Sequence, residues 1–87
     1  MIRPELAAIR ARIDALDAEL IELLALRAAA AREAMDLKAT AGQPAFDAAR
    51  EAEMIAALRV RARAFQLDED CVEKVFRGVL ELSRYER

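Results

Sequence analysis

The sequence predicts an all-α fold of three helices, one long and two about half its length. Three observations carry this expectation. Among 87 residues there are only two glycines and two prolines. Gly42 and Pro44 fall together in Thr40-Ala41-Gly42-Gln43-Pro44, the one clear break before residue 65. Apolar residues recur at helical spacing on both sides of that break, with no β pattern and no internal repeat. The chain is short enough to be one domain, residues 1–87.

The first helix is expected over residues 4–38. Pro4 suits a first helical position, and Glu5 complements the positive end of the helix dipole. A heptad seam runs Leu6, Ile9, Ile13, Leu16, Leu20, Leu23, Arg27, Ala30, Ala34, Leu37. Such a helix is on the order of 50 Å long. The second helix is expected over 46–64, with Met54, Ile55, Leu58, Ala62 and Phe65 on one face. Leu67-Asp68 opens the third, over 69–86. Asp68 is a good N-cap, Glu69 and Asp70 fill the first turn, and Leu67 can staple onto Val72. Its stripe is Val72, Val75, Phe76, Val79, Leu80. The two short helices cannot cover the whole seam of the first, so the expected solution is a homodimer in which long helices pair.

Composition points the same way. A chain this short often needs a disulfide, a metal or a partner subunit. Cys71 is the only cysteine, so no internal disulfide forms, and a lone thiol suits a reducing compartment. With no histidine and one cysteine, no metal site and no cofactor are expected. The net charge of −2 gives no polyanion-binding balance, so nucleic acid is not an expected partner. No apolar run reaches membrane-spanning length, and Met1-Ile2-Arg3-Pro4-Glu5 lacks a signal-peptide core. These features suggest a soluble cytoplasmic protein.

The informative residues are polar ones that continue apolar faces. Arg27 occupies a seam position, and the inward residues beyond it shrink to Ala30, Ala31 and Ala34. A guanidinium beside small residues suggests a cavity with a cation in it; the bland alternative is an arginine that snorkels or sets register. Lys38 follows eleven residues later, nearly three turns on, along the same face. By itself it would serve as a C-terminal dipole partner. Arg10 lies about 100° around the helix from Arg27, so it faces either solvent or a pocket made by a partner chain. In the second helix, Asp47, Arg50 and Glu51 share one turn, and Glu51 extends the Met54 stripe. Asp47 is an N-cap candidate, and Arg50 is placed to pair with it. Ser83 continues the stripe of the third helix. Together these residues suit a small ligand with several negative charges.

The same residues resemble a known family. Ile9-Arg10-Ala11-Arg12-Ile13-Asp14, the mid-helix Arg27 and Lys38 eleven residues later are similar to the first helix of AroQ-class, all-helical (type II) chorismate mutases. Pro44-Ala45-Phe46-Asp47-Ala48-Ala49-Arg50-Glu51 resembles the family's proline–x–x–aspartate–x–x–arginine–glutamate signature. Leu67-Asp68, Phe76 and Ser83 fall at the family's spacing, and the likeness covers nearly the whole chain.

The resemblance implies two interlaced chains, each site borrowing an arginine from the other chain's long helix. That cation is Arg10. Arg27 and Arg10 then resemble the carboxylate binders. Lys38 resembles the group that bonds a carboxylate and the ether oxygen. Asp47 and Ser83 resemble contacts that orient the substrate, Glu51 the acceptor for the ring hydroxyl, and Arg50 its neighbouring cation. The implied reaction, chorismate to prephenate, is a concerted [3,3] rearrangement that needs no nucleophile, metal or general base. The enzyme holds a dianion in its reactive shape and stabilises charge on the breaking ether oxygen. In place of the family's glutamine or glutamate four residues after the serine stands Arg87, with Glu86 one place off register, and Met35 replaces a small residue. Arg87 is therefore expected beside Lys38 and Arg27 as a catalytic cation. The same scaffold carries isochorismate pyruvate-lyase and aminodeoxychorismate mutase. A non-catalytic dimerisation module is the reading from another class, and the joint presence of Arg10, Arg27, Lys38, Arg50 and Glu51 speaks against it.

Overall fold

The computed structural model describes residues 3–84. Three helices follow in order, α1 (Pro4–Thr40), α2 (Ala48–Ala64) and α3 (Glu69–Arg84). Helix α1 starts with Pro4 in its first turn, where a missing N–H costs nothing, and has Glu5 beside it. It stops at Gly42, whose φ of 72° is left-handed. The amide of Gly42 donates to the Ala39 carbonyl and that of Gln43 to Lys38, the two bonds of a Schellman ending. Helix α2 ends the same way. Gln66 donates to the Arg63 carbonyl and Leu67 to Ala62, but here the left-handed residue is Gln66, with φ 59°. Helix α3 is capped by Asp68, whose Oδ1 accepts from the Cys71 amide at 2.9 Å. That bond holds the Asp68 carboxyl below its ordinary range.

Helix α3 packs against both α2 and α1. The core is small: Ala28, Ile55, Ala62 and Val79 are its buried apolar residues. A lattice of ion pairs secures the α2–α3 hairpin. Arg59 lies 2.8 Å from both Asp70 and Glu73, while Arg63 reaches Glu69 and Arg77 reaches Glu73. Two stripe residues expected inside stand outside instead. Val75 sits at the edge of the α3 stripe and is exposed. Phe65, at the end of α2, is also exposed, with the Arg61 guanidinium 5.3 Å from its ring centre.

The molecule is elongated, 59 × 28 × 16 Å, because α1 projects beyond the other two helices. Every residue from Arg3 to Leu23 is exposed, including the seam residues Leu6, Ile9, Ile13, Leu16, Leu20 and Leu23. The accessible surface is 7229 Å². A compact folded monomer of 9.7 kDa exposes about 5,100 Å². Among the described residues no helix is long and apolar enough to cross a membrane.

Candidate active site

Where α2 and α3 close over the C-terminal half of α1 they leave a cavity of about 490 Å³. Helix α1 supplies Arg27, Ala30, Ala31, Ala34, Met35 and Lys38. Ala45 and Phe46 come from the α1–α2 loop, Asp47 from the cap of α2, and Arg50, Glu51 and Met54 from α2 itself. Helix α3 adds Leu80, Ser83 and Arg84. The run of alanines makes the space: small side chains on α1 keep its backbone near the cavity while Arg27 and Lys38, nearly three turns apart, mark its two ends.

Arg27 is half-buried, and its donors meet neutral acceptors. Nη1 donates to Ser83 Oγ and Nη2 to Met54 Sδ, each at 3.3 Å. Ser83 Oγ in turn donates to the Val79 carbonyl, so the hydroxyl is fixed by its own helix before it receives Arg27. Lys38 Nζ donates to the Ala45 carbonyl at 3.2 Å, which ties the loop back onto α1. Neither cation has a carboxylate partner among the described residues. Two cations held by neutral oxygen and sulfur keep their charge available to whatever enters.

The acidic residues are differently placed. Asp47 caps α2 through a 3.0 Å bond from the Arg50 amide, and it lines the cavity as well. Its partner is the Arg50 backbone, not the Arg50 guanidinium that side-chain pairing would have used. The guanidinium of Arg50 is exposed on the cavity wall. Glu51 is paired with Arg84 at 2.6 Å, so its charge is already balanced.

Six of the residues expected at a site therefore come together: Arg27, Lys38, Asp47, Arg50, Glu51 and Ser83. Arg10 lies on the exposed N-terminal half of α1 and does not line this cavity. Arg87 lies outside the described residues, as does Glu86. Three cavity residues escaped the sequence reading: Met54 as a sulfur acceptor, Phe46, and Arg84. A signal for Arg84 did exist, since it stands one turn after Leu80 on the inner stripe.

Residues 9–86 match the sequence model of the family described as chorismate mutase type II. The T-protein of Enterobacter agglomerans is 38% identical over 76 residues, which cover 87% of this chain and 20% of that protein. The chain thus spans about a fifth of the length of this curated relative.

Proposed function

The chain belongs to the chorismate mutase type II family, a family of isomerases, and from that premise we propose that it rearranges chorismate to prephenate on the route to phenylalanine and tyrosine. One observation carries the reading: Arg27 and Lys38 line a single cavity on one face of α1, held by neutral acceptors and paired with no carboxylate among the described residues. A dianion of chorismate size meets uncompensated positive charge at both ends of such a space.

The chemistry follows from that field. Chorismate is flexible and must be held with its enolpyruvyl arm over the ring; two anchored cations, one per carboxylate, hold that shape at low entropic cost. As the ether bond breaks, its oxygen gains negative charge. Lys38 is the cation assigned to it, and a donor already fixed in place stabilises such charge without reorganising. Glu51 accepts from the ring hydroxyl, Asp47 and Ser83 orient the substrate, and Arg50 adds a further cation. Arg87 joins the catalytic set by resemblance alone.

The site is completed by a second copy of the chain, which contributes Arg10. The exposed stretch from Leu6 to Leu23 and the roughly 2,000 Å² of surface beyond that of a compact monomer support a homodimer. Buried on both chains, such an excess would total roughly 4,000 Å², within the range of obligate homodimer interfaces.

Purified protein mixed with chorismate should remove its absorbance, and the product should convert to phenylpyruvate on acidification. Release of pyruvate instead, or no loss of chorismate, would reject the assignment.

A further inference from the structure

Arg84 is the cavity residue with the least local arrangement. Glu81 stands three positions earlier on the same helix, within easy reach of an arginine. The guanidinium goes elsewhere. Nη2 donates to Glu51 Oε2 on α2 at 2.6 Å, and the charged carbon sits 5.5 Å from the centre of the Phe46 ring on the α1–α2 loop. The two partners lie in different elements, so one side chain from α3 fastens both. The exposures differ in a telling way: the Glu51 side chain is 21% exposed and that of Arg84 is 51% exposed. The carboxylate belongs to the cavity wall and its counterion reaches in from the mouth.

Resting on the proposed function, we infer that Arg84 is a positioning residue of the site: it fixes the Glu51 carboxylate by one oxygen and straps the Phe46 loop across the cavity mouth. Glu51 Oε2 is taken and Oε1 has no donor among the described residues, so one acceptor is left for a ligand hydroxyl. A short charge-assisted bond at one oxygen restrains the rotation of the carboxylate and biases the direction of its free lone pairs. The stack on Phe46 holds the segment whose Ala45 carbonyl receives Lys38. A closed path therefore runs from Lys38 through the loop to Arg84 and on to Glu51. It gives the loop two fastenings, one to α1 and one to α3.

The test combines a ligand-free signature with kinetics. In the intact protein without substrate, the Arg84 guanidinium resonances should shift in Glu51→Gln and again in Phe46→Leu. On chorismate, Arg84→Gln should lower kcat/KM about tenfold, and Arg84→Lys should restore most of it, because a charge-assisted bond is replaced in kind. In a Glu51→Gln background the same Arg84→Gln change should cost less than about twofold. Equal losses in both backgrounds would mean that Arg84 binds substrate directly and would overturn the inference. So would guanidinium resonances that ignore Glu51→Gln. Absence of turnover by the unaltered protein would defeat the proposed function instead, and the resonances would still decide whether the strap exists.

Discussion

Arg27 on α1 and Ser83 on α3 lie 56 residues apart in the chain and meet at 3.3 Å, with the serine accepting. Because Ser83 also donates to Val79 of its own helix, the hydroxyl is a fixed acceptor that aims the guanidinium. Arg27→Ala should then lower kcat/KM on chorismate by about 10³ or more, since a charged donor is lost from the proposed dianion site. Ser83→Ala should lower it about five- to tenfold, the worth of one orienting bond. Met54→Leu removes a weaker acceptor and should cost about two- to threefold. Steady-state kinetics of the three variants tests the ranking; a Ser83→Ala loss equal to that of Arg27→Ala would show that the hydroxyl does more than aim the arginine.

Arg10 and Arg27 belong to different sites if the dimer is interlaced. Each alanine variant alone should be nearly inactive with its helix content intact. Mixed and allowed to exchange subunits, the two should regain activity, because one of the two sites in the mixed dimer receives both arginines. Failure to recover after demonstrated exchange would place both arginines at one chain's site or leave Arg10 on the surface.

The proposed dimer predicts a thermal midpoint that rises with protein concentration. Sedimentation at micromolar concentration should give twice the chain mass. A folded, stable species of 9.7 kDa under those conditions would remove the second copy from the site.

The helices were legible because their signals are local. Pro4, the Gly42 break, Asp47 and Asp68 act on the backbone next to them, and each stands at the end the sequence assigned. The inner cations were legible because periodicity places Arg27 and Lys38 on one face. What remained hidden depended on other elements. Nothing near Arg84 in the chain announces Glu51 or Phe46, since those contacts arise only when α3 lies across α2 and the loop. Spacing allows Asp47 either to cap the helix or to pair with the Arg50 guanidinium, and only the fold decides: the carboxylate accepts from the Arg50 amide at the helix N-terminus. Val75 stands outside because its offset of three from Val72 turns it to the edge of a narrow stripe, where it is exposed.

The ion pairs of the α2–α3 hairpin should make stability depend on pH in acid. Glu73 accepts from Arg77 and from Arg59, and these bonds hold its carboxyl below the ordinary 4.5. A carboxyl whose folded-state pKa is depressed contributes stability above its unfolded value and loses it as pH falls through the lower folded value. The thermal midpoint should therefore decline below about pH 4.5, and Glu73→Gln should lower it at neutral pH while flattening the decline. Salt should shrink the difference, since these groups are exposed enough to be screened. Parallel pH curves for the two proteins would show that the bonds of Glu73 to Arg59 and Arg77 contribute nothing measurable.

The two Schellman endings give the last prediction. Gly42 and Gln66 occupy the same left-handed position of the same motif, at φ 72° and 59°. Glycine adopts that conformation freely, whereas a residue with a Cβ pays roughly 1–2 kcal/mol for it. Part of that gain is returned, because glycine also frees the unfolded chain. Gln66→Gly should therefore stabilise the protein by about 0.5–1 kcal/mol, a rise of about 3–6 °C in Tm. Gly42→Ala should do the reverse although nothing lies within 4 Å of where its Cβ would stand, so its cost is conformational and not steric crowding. Gln66 does not line the cavity, and kcat/KM should be unchanged in Gln66→Gly. Thermal melts of the two variants at one protein concentration decide it. A Gln66→Gly variant less stable than the parent would mean that the glutamine side chain makes up for its strained backbone.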